Sequence, residues 1–181
     1  FGVNPIPVET KTTETINIVD YQIPGSKFSN LSALGYLKYS PDGKKIAIAH
    51  SKTTKAETSG KVFLYDFDQL TGSTSTSGIQ ILGSTYPYGV EFSSKSKKLY
   101  VSASHYVTLR GNSSFEGSSI YQFDLTNPNI VSTKFEITKS SVLLAGALQL
   151  GLDGKIYRAM YNIDVYEGES RLGVIADPEL P

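Results

Sequence analysis

The sequence predicts an all-β fold, a β-propeller of four-stranded antiparallel blades, and three observations carry that prediction. The first is an internal echo: SPDGKKIAIA at 40–49, SSKSKKLYVSA at 93–103 and GLDGKIYRAM at 151–160. Tyr39, Phe92 and Leu150 stand at equivalent places, in steps of 53 (39 to 92) and 58 (92 to 150) residues. Repeats of roughly 40–50 residues, each holding several short strands, are the signature of propellers. The second is the turn chemistry of the first and third copies, where Asp-Gly supplies the positive φ that tight hairpins need. The third is alternation. The runs KVFLYDFD at 61–68 and SIYQFDLT at 119–126 interleave apolar and polar residues with period two. The 12 Tyr and 8 Phe beside a single Met and no Trp suit strands.

Taken in order, residues 1–33 read as the remnant of a preceding blade and a lead-in segment. Within them, 8–18 is a Thr-rich outer strand and 26–34 a short helical turn. The first whole blade is 34–85. Its inner strand is 35–39, its turn 41–43, its second strand 45–49, its third 61–68 and its fourth 78–82. The stretch TGSTSTSG at 71–78 reads as a surface loop. The next blade is 86–143. Its inner strand 89–92 meets a turn at 95–97, followed by strands at 98–103, 119–126 and 132–137. Ser96 stands where Gly43 stands, so this turn is expected to be longer or differently shaped. A helical turn is expected at 140–147. The last unit, 144–181, has an inner strand at 147–150, an Asp153-Gly154 turn, a second strand at 155–160 and a third at 171–176, and is then interrupted.

Propellers close with about four to eight blades. Three blades leave uncovered ends, which repeat proteins cap. The chain is therefore expected to be part of a larger, seven-bladed ring. It does not begin with Met, and 1–8 (FGVNPIPV) lacks the charged start and apolar run of a signal peptide. It reads as a piece of a longer protein whose leader would lie upstream.

Composition excludes several classes. Seventeen basic and 17 acidic residues give zero formal charge, so no basic face for nucleic acid is expected. No apolar run of about 18 residues exists to span a membrane. The absence of cysteine removes disulfides, thiolate metal sites and cysteine nucleophiles.

The chemistry-bearing residues read as follows. His50 and His105 both follow second strands, at the start of long loops. A metal pair or general base would need a third ligand and an outer shell of partners, and two loop residues of successive blades are expected instead. Asp42 and Asp153 cap turn N–H groups, and Asp66, Asp68 and Asp124 end third strands. No G-x-S-x-G, P-loop or dinucleotide fingerprint is present. No catalytic residue, cofactor or metal is expected. Lys38, Glu91 and Gln149 occupy equivalent inner-strand positions between apolar neighbours. Alternation places them on one side of their strands, facing the central channel or its wet rim. The loops at 50–60, 104–118 and 161–170 share the face where inner strands begin. The later two carry Tyr106, Arg110, Phe115, Tyr161 and Tyr166, residue types that interfaces favour, although packing onto the blade beneath is an equal expectation.

The order of motifs also resembles a family. GYLKYSPDGKK at 35–45, LYDFD at 64–68, YGVEFS at 88–93, IYQFDL at 120–125, ALQL at 147–150 and DGKIY at 153–157 are similar to the blade motifs of exported propellers, with YVTN- and WD-like repeats. Those propellers belong to surface proteins of gliding and type IX-secreting Bacteroidetes. Ser94 and Gly151-Leu152 depart from the motifs, in turns only. The resemblance implies an exported, cell-surface protein with adhesion-like roles and no established catalytic residues, bearing a sorting domain far downstream. The leading expectation is a non-enzymatic interaction or scaffold module that binds a protein or glycan partner, or the secretion machinery, through its loops. A lactonase-like hydrolase with a site at the central channel, and a structural spacer, are the alternatives.

Overall fold

The computed structural model describes residues 35–51, 59–109 and 112–181. The expected features at 1–33, the turn at 26–34, Arg110 and most of the loop at 50–60 lie outside the described residues. Regular structure among the described residues is β apart from one 3-10 helical turn, Ile130–Thr133.

Strands β1 (Leu37–Tyr39), β2 (Lys45–His50) and β3 (Gly60–Asp68) pair antiparallel in chain order. The short β4 (Ser73–Thr74) pairs with the end of β3, so part of the expected loop at 71–78 is strand. Next comes β5 (Ile79–Phe92), 14 residues long. Its first half pairs with β3 and its second with β6 (Lys98–Leu109). The strands expected separately at 78–82 and 89–92 are thus one strand, the fourth of one blade and the first of the next. Register shifts opposite β3, and between Pro87 and Val90 opposite β6, let it turn between blades without leaving the ladder. The second blade continues through β7 (Asn112–Asp124) to β8 (Phe135–Ser140).

The third unit holds β9 (Leu148–Leu150), β10 (Ile156–Arg158) and β13 (Gly173–Ile175), ordered β9-β10-β13. A small hairpin, β11 (Tyr161–Asn162) with β12 (Glu167–Gly168), occupies the expected loop at 161–170. The molecule is a partial β-propeller, built from consecutive antiparallel blades whose first strands are β1, the second half of β5, and β9.

Four expectations are corrected. The loop at 104–118 is a hairpin: β6 and β7 stay paired from Lys98↔Asp124 out to Leu109↔Asn112. Its Ser-, Gly- and Asn-rich composition suggests a loop, but backbone pairing needs no apolar side chain. Residues 140–147 hold no helix. Beyond the end of β8, residues 141–147 run as an irregular connector tied to blade two by side-chain hydrogen bonds. The middle turn is not unusual either. Ser40 N–H bonds Lys45 O at 2.9 Å and Ser93 N–H bonds Lys98 O at 3.0 Å, the same span in each. Ser96 adopts φ 58°, close to the 67° of Gly43. The third turn is the shorter one, closing from Gly151 N–H to Lys155 O at 2.8 Å. The outer strand expected at 132–137 also begins later, behind the helical turn.

Packing explains the sequence of the second strands. On β2, Ala47 and Ala49 face blade two, while Ile46 and Ile48 pack with Tyr65 on the opposite side. On β6, Leu99, Val101 and Ala103 join the blade-one core around Val90, Phe92 and Phe123. Tyr100 faces the other way, with Ile120, Leu148 and Ile156 between blades two and three. Both faces of a stacked blade are buried, so these strands read as near-continuous apolar runs. Phe92 and Phe123 are fully buried. Truncating either to alanine removes the transfer term and leaves a cavity, costing about 3–5 kcal/mol.

Candidate functional site

The three inner-strand polar residues meet. Lys38 Nζ lies 2.9 Å from Glu91 Oε2 and donates to Gln149 Oε1 at 2.7 Å. Glu91 Oε1 accepts from Phe92 N–H at 3.0 Å, and its Oε2 from Leu150 N–H at 2.9 Å. Gln149 donates in turn to Leu150 O at 3.0 Å. Alternation produces this arrangement. Val90 and Phe92 point into the core, so Glu91 points away from it, toward the first strands of the neighbouring blades. Gln149 is exposed, whereas Glu91 is only 4% exposed. The carboxylate is held by one ammonium and two backbone N–H groups. Its lone pairs are committed to joining three innermost strands, which suits cross-blade anchoring better than proton transfer.

A second feature lies where the inner strands begin. Ser51, Tyr86, Tyr88, Ser104, Tyr106, Leu144 and Ala145 line a cleft of about 490 Å³. Each blade contributes: Ser51 follows β2, the tyrosines and Ser104 come from β5 and β6, and Leu144 and Ala145 precede β9. The rings are pinned by edge-to-face contacts. Tyr86 and Tyr106 have centroids 4.8 Å apart, Tyr106 and Phe115 5.5 Å, and Tyr36 and Tyr88 5.4 Å. Such pairs contribute about 0.5–1.5 kcal/mol each beyond area burial. Burial and the neighbouring Tyr86 raise the Tyr106 hydroxyl pKa above its usual 10.0, so it stays neutral. Ser51 donates to Pro87 O at 2.8 Å, and Ser104 Oγ accepts from Ala145 N–H at 2.9 Å.

Of the expected partner-binding residues, Tyr106 therefore lines the cleft and Phe115 braces it. Tyr161 sits beside it, because Leu144 N–H bonds Tyr161 O at 3.0 Å. Tyr166 is exposed at the tip of the β11–β12 hairpin, with φ 54°. Phe115 packs against Tyr106, while Tyr166 is exposed.

The histidines lie in strands rather than at loop starts. His50 ends β2 opposite Lys61, its ring 6.3 Å from that of Phe63. His105 lies within β6. Its Nε2 is 3.1 Å from Ser119 Oγ and 3.2 Å from Tyr121 OH. Ser119 donates its proton to Glu136. A catalytic triad needs the imidazole between hydroxyl and acid. Here the serine, fully buried, stands between imidazole and acid. Among the described residues, no group of three or more His, Asp or Glu side chains is placed to hold a metal ion.

Two features were missed by sequence reasoning. Serines of blade two bind the connector ahead of β9: Ser102 donates to Gly146 O, Ser118 to Leu143 O, and Ser104 takes the Ala145 N–H. Arg158, 5% exposed, adds Nη2 bonds to Ser118 Oγ and Leu144 O, both at 2.9 Å. The Ser102-x-Ser104 alternation on a core strand was the available signal. The second feature is the segment after β13. Tyr100 donates to Pro178 O at 2.8 Å, Gln122 to Leu180 O at 2.6 Å, and Glu179 accepts from Lys95 N–H at 2.6 Å. Burial pushes the Tyr100 pKa up to about 12.

No family model and no curated protein matches the chain. Among solved structures, Kuenenia stuttgartiensis hydrazine synthase is similar at 19% identity, over 78% of this chain and 44% of that one, with a TM-score of 0.44. A putative 6-phosphogluconolactonase from Bacteroides uniformis matches at 10% identity over 83% and 61%, with a TM-score of 0.34. A Pseudomonas aeruginosa periplasmic gluconolactonase matches at 11% over 79% and 54%, with a TM-score of 0.30. This chain spans less than two thirds of each. Likeness at this level carries no argument about activity.

Proposed function

We propose that the chain is a non-enzymatic interaction module, part of a propeller in an exported cell-surface protein, which binds its partner at the tyrosine cleft. The observation that carries this is the cleft itself. Three blades contribute to it, its aromatic rings are already fixed, and fixed rings lower the entropic cost of binding. Export and surface location rest on the motif resemblance alone.

The names of two structural neighbours lie nearer to the lactonase-like alternative. The site favours binding, because the carboxylate at the inner strands is buried with both oxygens already engaged. Two assays separate the readings. Hydrolysis of glucono-δ-lactone, followed by acid release, is expected to stay at the buffer rate. A rate abolished by Glu91→Gln would establish the enzyme reading. Binders selected from a glycan array or a displayed random-peptide library are expected to lose affinity roughly tenfold for Tyr88→Ala/Tyr106→Ala. Undiminished affinity for every selected binder would leave the spacer reading in place.

A further inference from the structure

We propose that the cleft is a saccharide site, taking an uncharged, hydroxyl-rich sugar end with one ring face stacked on tyrosine. The inference rests on the binding reading above and specifies its ligand.

The lining chemistry selects the ligand class. No Lys, Arg, Asp, Glu or His is among the described lining residues, so an ionised group finds no counter-charge among them. The walls are Tyr86, Tyr88 and Tyr106, which combine flat apolar faces with hydroxyl edges. Tyr88 and Tyr106 are each 38% exposed, so ring surface remains open to a ligand while the edge-to-face contacts hold the rings in place. A sugar presents the complementary pattern: C–H groups on its faces and hydroxyls around its rim.

The polar groups match as well. Ser104 Oγ accepts from Ala145 N–H, which leaves its own proton to donate. Ser51 spends its proton on Pro87 O, which leaves its oxygen to accept. The cleft therefore offers a donor and an acceptor beside aromatic faces, and sugar hydroxyls serve as both. Its volume, about 490 Å³, falls within the roughly 300–1,000 Å³ of small-ligand sites. A proline-rich peptide also docks on aromatic grooves. Its proline residues lack the N–H that could donate to the Ser51 oxygen, so the serine pair favours the sugar.

The test is an NMR titration of the whole chain with neutral disaccharides (cellobiose, maltose and N,N′-diacetylchitobiose), a uronic-acid disaccharide and a polyproline peptide. At least one neutral disaccharide is expected to shift the amides of Tyr86, Tyr88, Tyr106 and Ala145 in a saturable manner. The uronic-acid sugar is expected to bind no tighter. Tyr106→Ala is expected to weaken binding roughly tenfold, and Tyr106→Phe, which keeps the ring, less than about threefold. Unchanged signals from the Phe92 and Phe123 core verify folding of each variant, and Tyr88→Ala serves if Tyr106→Ala does not fold. Absence of any neutral sugar response at the cleft overturns the inference, as does a response confined to other residues. Peptide binding at these same amides without sugar binding overturns the inference but keeps the interaction module. Failure of every probe, together with undiminished binders in the selection assay, removes both.

Discussion

His105 is the residue whose surroundings make the sharpest solution prediction. Burial holds its pKa below the usual 6.5; Glu136 and Glu116 oppose that shift, and Lys139 and Lys134 reinforce it. The unfolded chain therefore takes up the proton at a higher pH than the folded one. Stability is complete above about 6.5 and declines as pH falls from there toward the folded value. Melting temperature followed between about pH 7 and 5 should fall for the wild type, and His105→Gln should flatten that slope. A slope left intact would place its origin elsewhere. Asp124 adds a second acid limb. Thr126, with Lys98 beside it, lowers its pKa from 3.8 to about 2. Its contribution is present above 3.8 and is lost as pH falls toward about 2. The turns supply a different test. Gly43 has φ 67°, so Gly43→Ala should cost about 1 kcal/mol by thermal denaturation. Ser96 bears the same backbone strain at φ 58° but accepts the Asp42 N–H at 3.0 Å. Ser96→Gly should change stability by less than about 0.5 kcal/mol, because relief and loss offset each other.

Among the elements, the innermost strands are held by unequal partners. Glu91→Ala removes the ion pair of Lys38, whose side chain is 17% exposed and keeps only Gln149 Oε1 as an acceptor, and leaves two backbone N–H groups without an acceptor. Urea unfolding should show a loss of about 3 kcal/mol. Gln149→Ala removes an exposed side chain and should cost less than about 1 kcal/mol. Equal losses would contradict the burial of Glu91. The alternation that aligns Lys38, Glu91 and Gln149 was legible in the sequence, because strand period two is a local property. The burial of Glu91 was not, because it depends on the Leu150 N–H arriving from another blade. The β6–β7 hairpin was illegible for a related reason. Its outer half bulges where His105 pairs with Gly117 and Tyr106 with Phe115. Gly117 sits at φ 137°, and a Cβ there would meet Ser140 O at 2.4 Å. A glycine that reads as a loop signal is instead the point where the end of β8 closes against β7.

At the scale of the molecule, the repeat made the inner hairpins and their common face legible, since each copy carries its own turn and apolar pattern. The continuity of β5 and the docking of residues 177–181 on blade two left no such trace. The first depends on register between strands, and the second on hydrogen bonds from Tyr100 and Gln122 to backbone carbonyls that any sequence provides. The cleft was half legible: its aromatics stood out, but Tyr86 and Tyr88 joined Tyr106 only through the pairing of β5 with β6. On the proposed reading, binding belongs to that cleft and structural cohesion to the Lys38–Glu91–Gln149 group. The most direct measurement compares, well below the melting temperature, the affinity of one selected ligand for wild type, Tyr88→Ala/Tyr106→Ala and Glu91→Gln. Binding roughly tenfold weaker is expected for the tyrosine variant, and a change below about threefold for Glu91→Gln. Full affinity in the tyrosine variant with loss in Glu91→Gln would contradict that reading and return the site to the central channel.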